Sequence, residues 1–346
     1  MVGFKVGIMG AGYITGVVAD TLMKLDGFEN YAIASTSEER AKEYKEKYGF
    51  EKYYTSYEDL ANDDEVEMIY IATVNSNHAE LAQMCLNAGK PCLVEKPFSY
   101  NAKTAYETLK LADEKNLFCG EAMWTRYHPL IKNLQDYLKQ DKYGEVRYMT
   151  ANLGYNLMDR PRLLDPKLAG GSLLDLGIYP LSLTFLVMGG LPISIGTSNL
   201  KLSTGVDCQQ AIQMNFSRGR FANVFSTMMY NSDNTCKIYQ ATGRIEIDNV
   251  NNPSEIKTYG VKGELVETFT RPDNFISGYE YEFLAAREAI IVGKLETPEV
   301  PRKYIMDMYK FTDQLRAAWK NVYPLPGEPK LEDLPDARPM ENPNKQ

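Results

Sequence analysis

The chain has 346 residues, of which 44% are hydrophobic and 24% are charged, and its formal net charge at pH 7 is −8. This length allows two domains with a large core, and the composition is typical of a soluble globular protein. The negative charge and the lack of a basic stripe exclude a nucleic-acid-binding protein. We expect no membrane contact, because no apolar run in the sequence approaches the roughly 18 residues of a membrane span.

The cysteine and histidine content bears on the compartment and on metal binding. The five cysteines show no Cys-x-x-Cys spacing, which indicates free thiols in a reducing compartment. The two histidines, His78 and His128, are too few for the usual histidine-based zinc site. We therefore predict a cytoplasmic protein without a metal, either an enzyme or a ligand-binding protein.

The first 122 residues alternate between apolar strands and amphipathic helices. The strand-like runs are FKVGIMG, NYAIAS, EMIYIAT, PCLVE and LFCGEA, with helical segments between them. Gly49 and Gly89 end two of these helices, and Ser56 with Asp59 resembles a capping box. Such alternation predicts a doubly wound parallel sheet with crossover helices, which places an α/β domain at 1–122.

A different pattern follows Trp124. The helix LIKNLQDYLKQ and the strand EVRYMTANLGY precede a short apolar helix that starts after a Gly-Gly-Ser turn. Strand-like runs between 193 and 270 predict an open, mainly antiparallel sheet, and helices near 276–294 and 301–321 follow. We assign 123–323 to a second α/β domain and 324–346 to a proline-rich tail that runs extended over the surface.

A glycine-rich turn joins the first strand to the first helix. In GAGYIT, Gly10 permits a tight turn and Gly12 lets the backbone approach a pyrophosphate, which the N–H groups at the helix start then face. The third position of this fingerprint is Thr15 rather than a small residue. Such a turn alone can be purely structural, but the strand–helix alternation behind it favours dinucleotide binding.

The end of the second strand bears on the choice of coenzyme. NAD-preferring sites place an acidic residue there to hold the ribose 2′-OH, whereas this chain has Ser35, Thr36 and Ser37. These hydroxyls and Arg40 would accept a 2′-phosphate, so we predict NADP, with NAD as the alternative. Ser37 can instead be a helix N-cap, and Arg40 a solvated side chain.

Two further groups point to catalysis. Glu95-Lys96-Pro97 ends a predicted parallel strand, at the edge where such sheets bind ligands, although a surface Glu-Lys pair would look the same. Asp175 and Tyr179 are four residues apart, which places both on one face of the predicted helix. Tyr179 is one of 24 tyrosines, and a tyrosine that only packs this helix is the other interpretation.

Five segments carry a resemblance to a known family. GAGYI, ATVNSNHAE, EKP, EAMWTRYHP and AGGSLLDLGIYPL occur in order within the first 190 residues. In these segments the chain resembles the Gfo/Idh/MocA oxidoreductase family, and within it the branch of dimeric dihydrodiol dehydrogenases and NADP-dependent D-xylose dehydrogenases. The resemblance implies a Rossmann domain, a C-terminal α/β domain on an open sheet, and a homodimer or homotetramer formed through that sheet.

The resemblance also implies roles for individual residues. Lys96, Asp175 and Tyr179 would be catalytic, with Tyr179 moving the hydroxyl proton. Trp124 and Arg126, together with Tyr179, would bind the substrate, although Trp124 can equally be buried core. The residues expected to bind the coenzyme are Gly10, Gly12, Tyr13, Ile14, Ser35, Thr36, Ser37, Arg40, Thr73, Asn75, His78, Glu95 and Lys96.

Two of these assignments have specific alternatives. His78 can cap its own helix instead of lining the coenzyme site. Thr36 stands where NADP-using relatives often carry arginine, which bears on the coenzyme preference.

The leading interpretation is an NADP-dependent dehydrogenase that acts on a carbohydrate-like hydroxyl, a hemiacetal or a trans-dihydrodiol. A dinucleotide-binding sensor of the same fold, without turnover, is the alternative, since fold does not establish function. The complete set of Lys96, Asp175 and Tyr179 favours the enzyme, because a sensor has no physical need for it.

Overall fold

A parallel sheet forms the N-terminal part of the protein. The computed structural model describes residues 3–334, so positions 335–346 of the predicted tail lie outside the described residues. The strands are β1 (Phe4–Met9), β2 (Phe28–Ala34), β3 (Lys52–Tyr54), β4 (Met68–Ile71), β5 (Cys92–Glu95) and β6 (Cys119–Ala122). They pair in parallel in the order β3-β2-β1-β4-β5-β6, which is the strand order of the dinucleotide-binding Rossmann fold.

Crossover helices connect these strands, as the alternating pattern predicts. They are α1 (Tyr13–Lys24), α2 (Glu38–Tyr48), α3 (Tyr57–Ala61), α4 (His78–Asn87) and α5 (Ala102–Lys115). Gly49 ends α2 in the left-handed conformation at φ 70°, and the Ser56 hydroxyl accepts the Asp59 N–H at the start of α3, so both predicted caps are confirmed. Strand β3 escapes sequence reasoning because three half-buried residues at a sheet edge carry no measurable periodicity.

A second sheet follows, in the C-terminal part. Its strands are β7 (Val146–Gly154), β8 (Ser194–Lys201), β9 (Asp207–Phe216), β10 (Arg220–Thr227), β11 (Cys236–Gln240), β12 (Arg244–Ile247), β13 (Glu255–Tyr259) and β14 (Leu265–Thr270). Their order is β14-β13-β12-β11-β7-β10-β9-β8. The pairs are antiparallel except β7 with β10, because β7 inserts between β11 and β10 in the middle of the sheet. The predicted open, mainly antiparallel sheet is confirmed.

Six more α-helices accompany this part of the chain within residues 3–334. They are α6 (Trp124–Tyr127), α7 (Pro129–Lys139), α8 (Pro161–Leu164), α9 (Ile178–Met188), α10 (Glu280–Ile291) and α11 (Arg302–Ala318). A π-helical segment, Leu173–Gly177, runs directly into α9, and we call it the π-turn.

The chain forms two compact units whose limits differ from the predicted domains. One unit extends to Tyr127 and also contains 274–306, and the other contains 128–273 and, within the described residues, 307–334. Helix α10 belongs to the first unit because Phe283, Ala286 and Ala289 are buried in the same core as β1 and α1. The predicted domain boundaries at 123 and 323 do not place α10 in the first unit, because an apolar helix stripe does not reveal which core the helix joins.

The second sheet has one covered and one open face. Side chains such as Met149, Ile212 and Val224 alternate inward and are buried, which is the period-two pattern of a half-buried sheet. On the other face, Phe221 is 42% exposed and Tyr239 is 37% exposed. The open face therefore carries exposed aromatic side chains.

One helical stretch corrects the expectation that no segment has the length and apolar character of a membrane span. Pro166–Met188 is long and apolar enough to span a membrane, with a mean hydropathy of 1.5. However, 89% of its most apolar 18-residue stretch is buried inside the protein. The core helix of a soluble protein meets the same criterion. Because α9 is buried along almost its whole length, its apolar composition matches this burial.

A buried carboxylate joins the second sheet to the π-turn. Asp207, the first residue of β9, is fully buried, and its Oδ2 accepts the Leu173 N–H at 2.6 Å. Its Oδ1 accepts the Asn321 side-chain amide at 2.9 Å. Burial raises the pKa of Asp207 from its ordinary 3.8 to about 6, while the Leu173 N–H and the charge of Arg316 act in the opposite direction.

This raised pKa predicts a pH-dependent stability that the Asp207→Asn variant should lack. The folded state binds the proton more tightly than the unfolded chain, so this group stabilises the fold below about pH 4, and that stabilisation is lost as the pH rises through 6. A shift from 3.8 to about 6 corresponds to roughly 3 kcal/mol. The unfolding free energy of the wild type minus that of the variant should therefore fall by most of this amount, about 2.4 kcal/mol, between pH 4 and pH 7.5 in urea titrations. The exposed Asp26→Asn is the control, and a pH-independent difference for Asp207→Asn would contradict the assignment.

Candidate active site

The glycine loop between β1 and α1 has the geometry of a pyrophosphate cradle. Gly10 adopts φ +104°, and a Cβ there would lie 2.5 Å from the Ala72 carbonyl oxygen, so only glycine fits. Gly12 is the N-cap residue of α1, and apart from its chain neighbours no atom of residues 3–334 lies within 4 Å of a Cβ placed on it. Open space at a helix N-terminus, next to a backbone that can approach closely, suits an anionic diphosphate.

Thr15 takes the third position of the loop without disturbing it. Its buried hydroxyl donates to the Gly10 carbonyl at 2.8 Å, which ties the two ends of the turn together. The hydroxyl of Tyr44 on α2 donates to the Gly12 carbonyl at 3.0 Å. Tyr13 is 84% exposed, and Ile14 packs against the first unit's core, so of the two only Tyr13 presents its side chain to solvent.

The segment after β2 carries hydroxyls and no carboxylate before α2. The Ser35 hydroxyl accepts the Ser37 N–H at 3.2 Å, and the Ser37 hydroxyl accepts the Arg40 N–H at 3.4 Å as the N-cap of α2. The N-cap role is therefore present, and Thr36 and Arg40 are exposed. Accepting a hydrogen bond leaves each serine proton able to donate to a ligand.

Buried acidic residues hold the backbone around Lys96. The Lys96 N–H donates to Glu95 Oε2 at 2.9 Å, and Tyr70 Oη hydrogen-bonds the other oxygen of Glu95. The Phe98 N–H donates to Glu121 Oε1 at 3.0 Å. Glu95 is almost fully buried and Glu121 is fully buried. The Glu-Lys-Pro motif is therefore a turn held by hydrogen bonds to buried carboxylates and not a pair of charges on the surface. Glu95, expected to bind the coenzyme, here fixes the turn that carries Lys96.

His78 links this turn to the loop after β4. Its Nδ1 lies 2.7 Å from the Pro97 carbonyl oxygen, and its Nε2 lies 3.2 Å from the Thr73 carbonyl oxygen. The ring thus connects two loops, which differs from the helix-capping alternative. Asn75 is buried in the short helical turn before α4. Among the described residues the buried Thr73 hydroxyl has no hydrogen-bond partner, which fits a polar group of a bound coenzyme at this edge.

The two predicted substrate residues of the first unit differ in their surroundings. Trp124 is 6% exposed and stacks on Tyr279 with ring centroids 4.3 Å apart and planes 2° apart. Arg126 Nε donates to the Glu299 carbonyl at 2.7 Å, and its guanidinium lies 4.2 Å from the Tyr304 ring centroid. Sequence reasoning misses Tyr279, because no motif spacing connects it with Trp124.

Asp175 and Tyr179 lie on the π-turn and the first turn of α9. Both are buried, at 4% and 5% exposure. Arg162 on α8 places its two terminal nitrogens 3.1 and 3.2 Å from Asp175 Oδ1, and its own side chain is 47% exposed. The sequence predicts an ordinary helix here, whereas the wider π-turn occurs often at functional sites. Arg162 has no sequence signal that separates it from the other residues of a polar loop.

Each unit thus gathers its own set of predicted residues. In the first, the glycine loop, the end of β2, the Thr73–His78 loop and the Lys96 turn all follow the carboxyl ends of parallel strands, where such sheets bind ligands. In the second, Arg162 pairs with Asp175, and Tyr179 follows Asp175 by four residues at the start of α9.

Comparison with known proteins agrees with this architecture. The model of the oxidoreductase family with an NAD-binding Rossmann fold matches residues 4–122, and that of the GFO/IDH/MocA C-terminal domain matches 131–246. The trans-1,2-dihydrobenzene-1,2-diol dehydrogenase of Mus musculus is 33% identical over 85% of this chain and 90% of its own. The Homo sapiens protein of the same name is 32% identical, over 92% and 97%.

Solved structures share the fold. A 3-ketoreductase from Actinomadura kijaniata in complex with NADP and TDP-benzene superposes with a TM-score of 0.82 at 23% identity, covering 91% of this chain and 97% of its own. An aldose-aldose oxidoreductase from Caulobacter crescentus also reaches 0.82, at 20% identity, with 90% and 96% covered. With both family domains matched in order, the chain belongs to the Gfo/Idh/MocA family of NAD(P)-binding oxidoreductases.

Proposed function

We propose that the protein is an NADP-dependent dehydrogenase that oxidises a sugar-like hydroxyl, a hemiacetal or a trans-dihydrodiol and catalyses the reverse reduction. The observation that carries the proposal is that Asp175 on the π-turn and Tyr179 on the first turn of α9 are both buried, in a chain that also has the coenzyme-binding edge of a Rossmann sheet. The relatives named as dihydrodiol dehydrogenases support this substrate range. The free cysteines favour a cytoplasmic location.

The proposed chemistry divides between coenzyme and side chains. When bound, the nicotinamide supplies the hydride acceptor or donor. Tyr179 takes the proton of the reacting hydroxyl during oxidation and returns it during reduction. An isolated phenol is too weak a base near neutral pH, so the proposal gives the Lys96 ammonium the role of favouring the phenolate form in the working enzyme.

Asp175 orients the reacting groups in this scheme. Two hydrogen bonds from the Arg162 guanidinium hold its carboxylate and fix its direction. A carboxyl group oriented in this way can accept a hydrogen bond from a substrate hydroxyl or from Lys96. Trp124, stacked on Tyr279, supplies a flat apolar surface for the substrate.

The Tyr179→Phe variant tests the proton-transfer role. It keeps the buried ring and removes only the hydroxyl, so the protein should fold and bind NADP+ as the wild type does. The turnover number should fall by about 10²–10⁴, the usual contribution of general acid–base catalysis. We would measure NADPH formation with D-xylose, D-glucose and trans-1,2-dihydrobenzene-1,2-diol. Tyr155→Phe, a matched change in the same unit, should retain activity, and near-wild-type turnover in Tyr179→Phe would refute the role.

The proposed preference for NADP rests on charge at the end of β2. Residues 34–37 contain no carboxylate that would repel a 2′-phosphate. Thr36 and Arg40 are exposed beside the N-terminus of α2, where an anion is favoured. Glu38 in the first turn is paired with Lys42 at 2.8 Å, which offsets its charge.

Arg40→Ala should therefore weaken NADP+ binding more than NAD+ binding. The loss of a charge-assisted hydrogen bond is worth about 1.5–3 kcal/mol at most. Dissociation constants of both coenzymes, measured by calorimetry, would show this difference, and Lys47→Ala at the other end of α2 is the control. Equal losses for both coenzymes, or a wild-type preference for NAD+, would refute the assignment.

We also propose a homodimer or homotetramer assembled through the open face of the second sheet. Tyr148 and Tyr239 of the neighbouring strands β7 and β11 stack on this face with ring centroids 5.7 Å apart, and Phe225 on β10 stacks at 6.5 Å on Tyr230 in the segment that follows β10. Phe221 is 42% exposed on the same face. Monomeric proteins rarely leave so large an apolar surface open.

Light scattering at micromolar concentration should give the mass of at least two chains. Phe221→Glu should shift the protein toward the monomer, because it buries a charge in the proposed contact. Val261→Glu, at a position that is 71% exposed on a loop, should leave the mass unchanged. A wild-type mass of one chain would exclude this assembly.

A further inference from the structure

The turn that precedes the π-turn is built for close contact on two sides. A Cβ on Gly170 would lie 2.5 Å from the Leu163 carbonyl oxygen, and a Cβ on Gly171, at φ +116°, would lie 2.5 Å from Asp207 Oδ1. The Gly171 N–H donates to the Leu163 carbonyl at 2.9 Å. Two glycines therefore bring the backbone against α8 on one side and against the Asp207 carboxylate on the other.

Asp207 meets the first N–H group of the π-turn. Its Oδ2 accepts from Leu173 at 2.6 Å, and its Oδ1 accepts from the Asn321 side chain at 2.9 Å. The first N–H groups of a helical segment have no partner within the segment, and an anion at this end is favourable. Among residues 3–334 Asp207 has no ion pair, so its charge is balanced by these donors and by the nearby Arg316.

Two further contacts involve this part of the chain: one between the C-terminal segment and the Gly-Gly turn, and one between β9 and the end of the π-turn. Tyr323 Oη donates to the Gly170 carbonyl at 2.8 Å. A Cβ on Gly177 would lie 2.7 Å from Gln210 Nε2, and Gln210 itself donates to Ser226 at 2.5 Å. Asp207 and Gln210 are both on β9, so one strand abuts the π-turn at its beginning and at its end.

We propose that Asp207, supported by Asn321, is a positioning residue for Asp175 and Tyr179. It fixes the backbone at Leu173, two residues before Asp175 and six before Tyr179, and thereby fixes where both side chains point. This inference rests on the proposed function of these two residues. A fully buried carboxylate costs free energy, and here one of its oxygens accepts the Leu173 N–H at the start of the functional segment while the other is held by Asn321. Tyr323 holds the same turn from the other side.

A comparison of Asp207→Ala with Asp207→Asn distinguishes a positioning role of Asp207 from a role that only requires a side chain in the core. Alanine removes the acceptor of the Leu173 N–H. Asparagine keeps an acceptor oxygen for this N–H, and its side-chain NH2 group can donate to the Asn321 side chain once that side chain has rotated. With NADP+ and the best of D-xylose, D-glucose and trans-1,2-dihydrobenzene-1,2-diol, kcat should fall about 10- to 100-fold in Asp207→Ala. It should recover to within about threefold of the wild type in Asp207→Asn, with the KM for NADP+ unchanged in both. Lys262→Ala, at an exposed loop position of the same unit, is the control.

Wild-type kcat in a folded Asp207→Ala would overturn the proposal, and so would equal losses in the alanine and asparagine variants. If Asp207→Ala does not fold, Asn321→Ala and Tyr323→Phe decide, because each removes one hydrogen bond. Both should lower kcat about three- to tenfold without changing the KM for NADP+. Wild-type kcat in both would overturn the proposal. The wild type and Tyr179→Phe are assayed alongside. No turnover in the wild type refutes the proposed function, and full activity in Tyr179→Phe refutes the role of Tyr179. A loss in Tyr179→Phe with normal Asp207 variants refutes only this inference.

Discussion

The close approach of the Gly10 backbone to the Ala72 carbonyl is the constraint on which the coenzyme-binding end depends. Strands β1 and β4 are neighbours, and their loops diverge in opposite directions along the sheet. A side chain at Gly10 would collide with the Ala72 carbonyl, so its absence lets the turn fold onto the adjacent loop. The start of α1 and the Thr73 loop thereby come to one edge of the sheet, which is the arrangement that binds a dinucleotide.

Buried carboxylates then hold the functional turns. Glu95 and Glu121 accept backbone N–H groups of the Lys96 turn, and Asp207 accepts that of Leu173 in the π-turn. The Lys96 turn has left the sheet and Leu173 begins a helical segment, so these N–H groups have no partner in a ladder or a preceding helical turn and need another acceptor. A carboxylate fixed by its own packing supplies this acceptor and at the same time sets the direction of the turn. Rigid placement of this kind favours a reaction that depends on orientation.

The sequence predicts the locally encoded features well and the long-range ones poorly. The Gly49 and Ser56 caps and the glycine loop are visible because each depends on residues a few positions apart. The role of Asp207 is not visible, since its partners Leu173 and Asn321 lie 34 and 114 residues away. The π-turn also escapes prediction, because apolar spacing cannot distinguish it from an α-helix. The sequence also does not show that α10 packs into the core of the first unit, because an apolar helix stripe does not reveal which core it joins.

The central claim is that this member of the family catalyses hydride transfer and does not only bind a dinucleotide. The most direct measurement uses D-xylose and trans-1,2-dihydrobenzene-1,2-diol deuterated at the carbon that bears the reacting hydroxyl, with NADP+. Mass spectrometry of the recovered coenzyme then shows whether deuterium has moved. The account predicts deuterated NADPH from at least one of these donors, and its absence in Tyr179→Phe. Tight binding of NADP+ without deuterium transfer from either donor would contradict it.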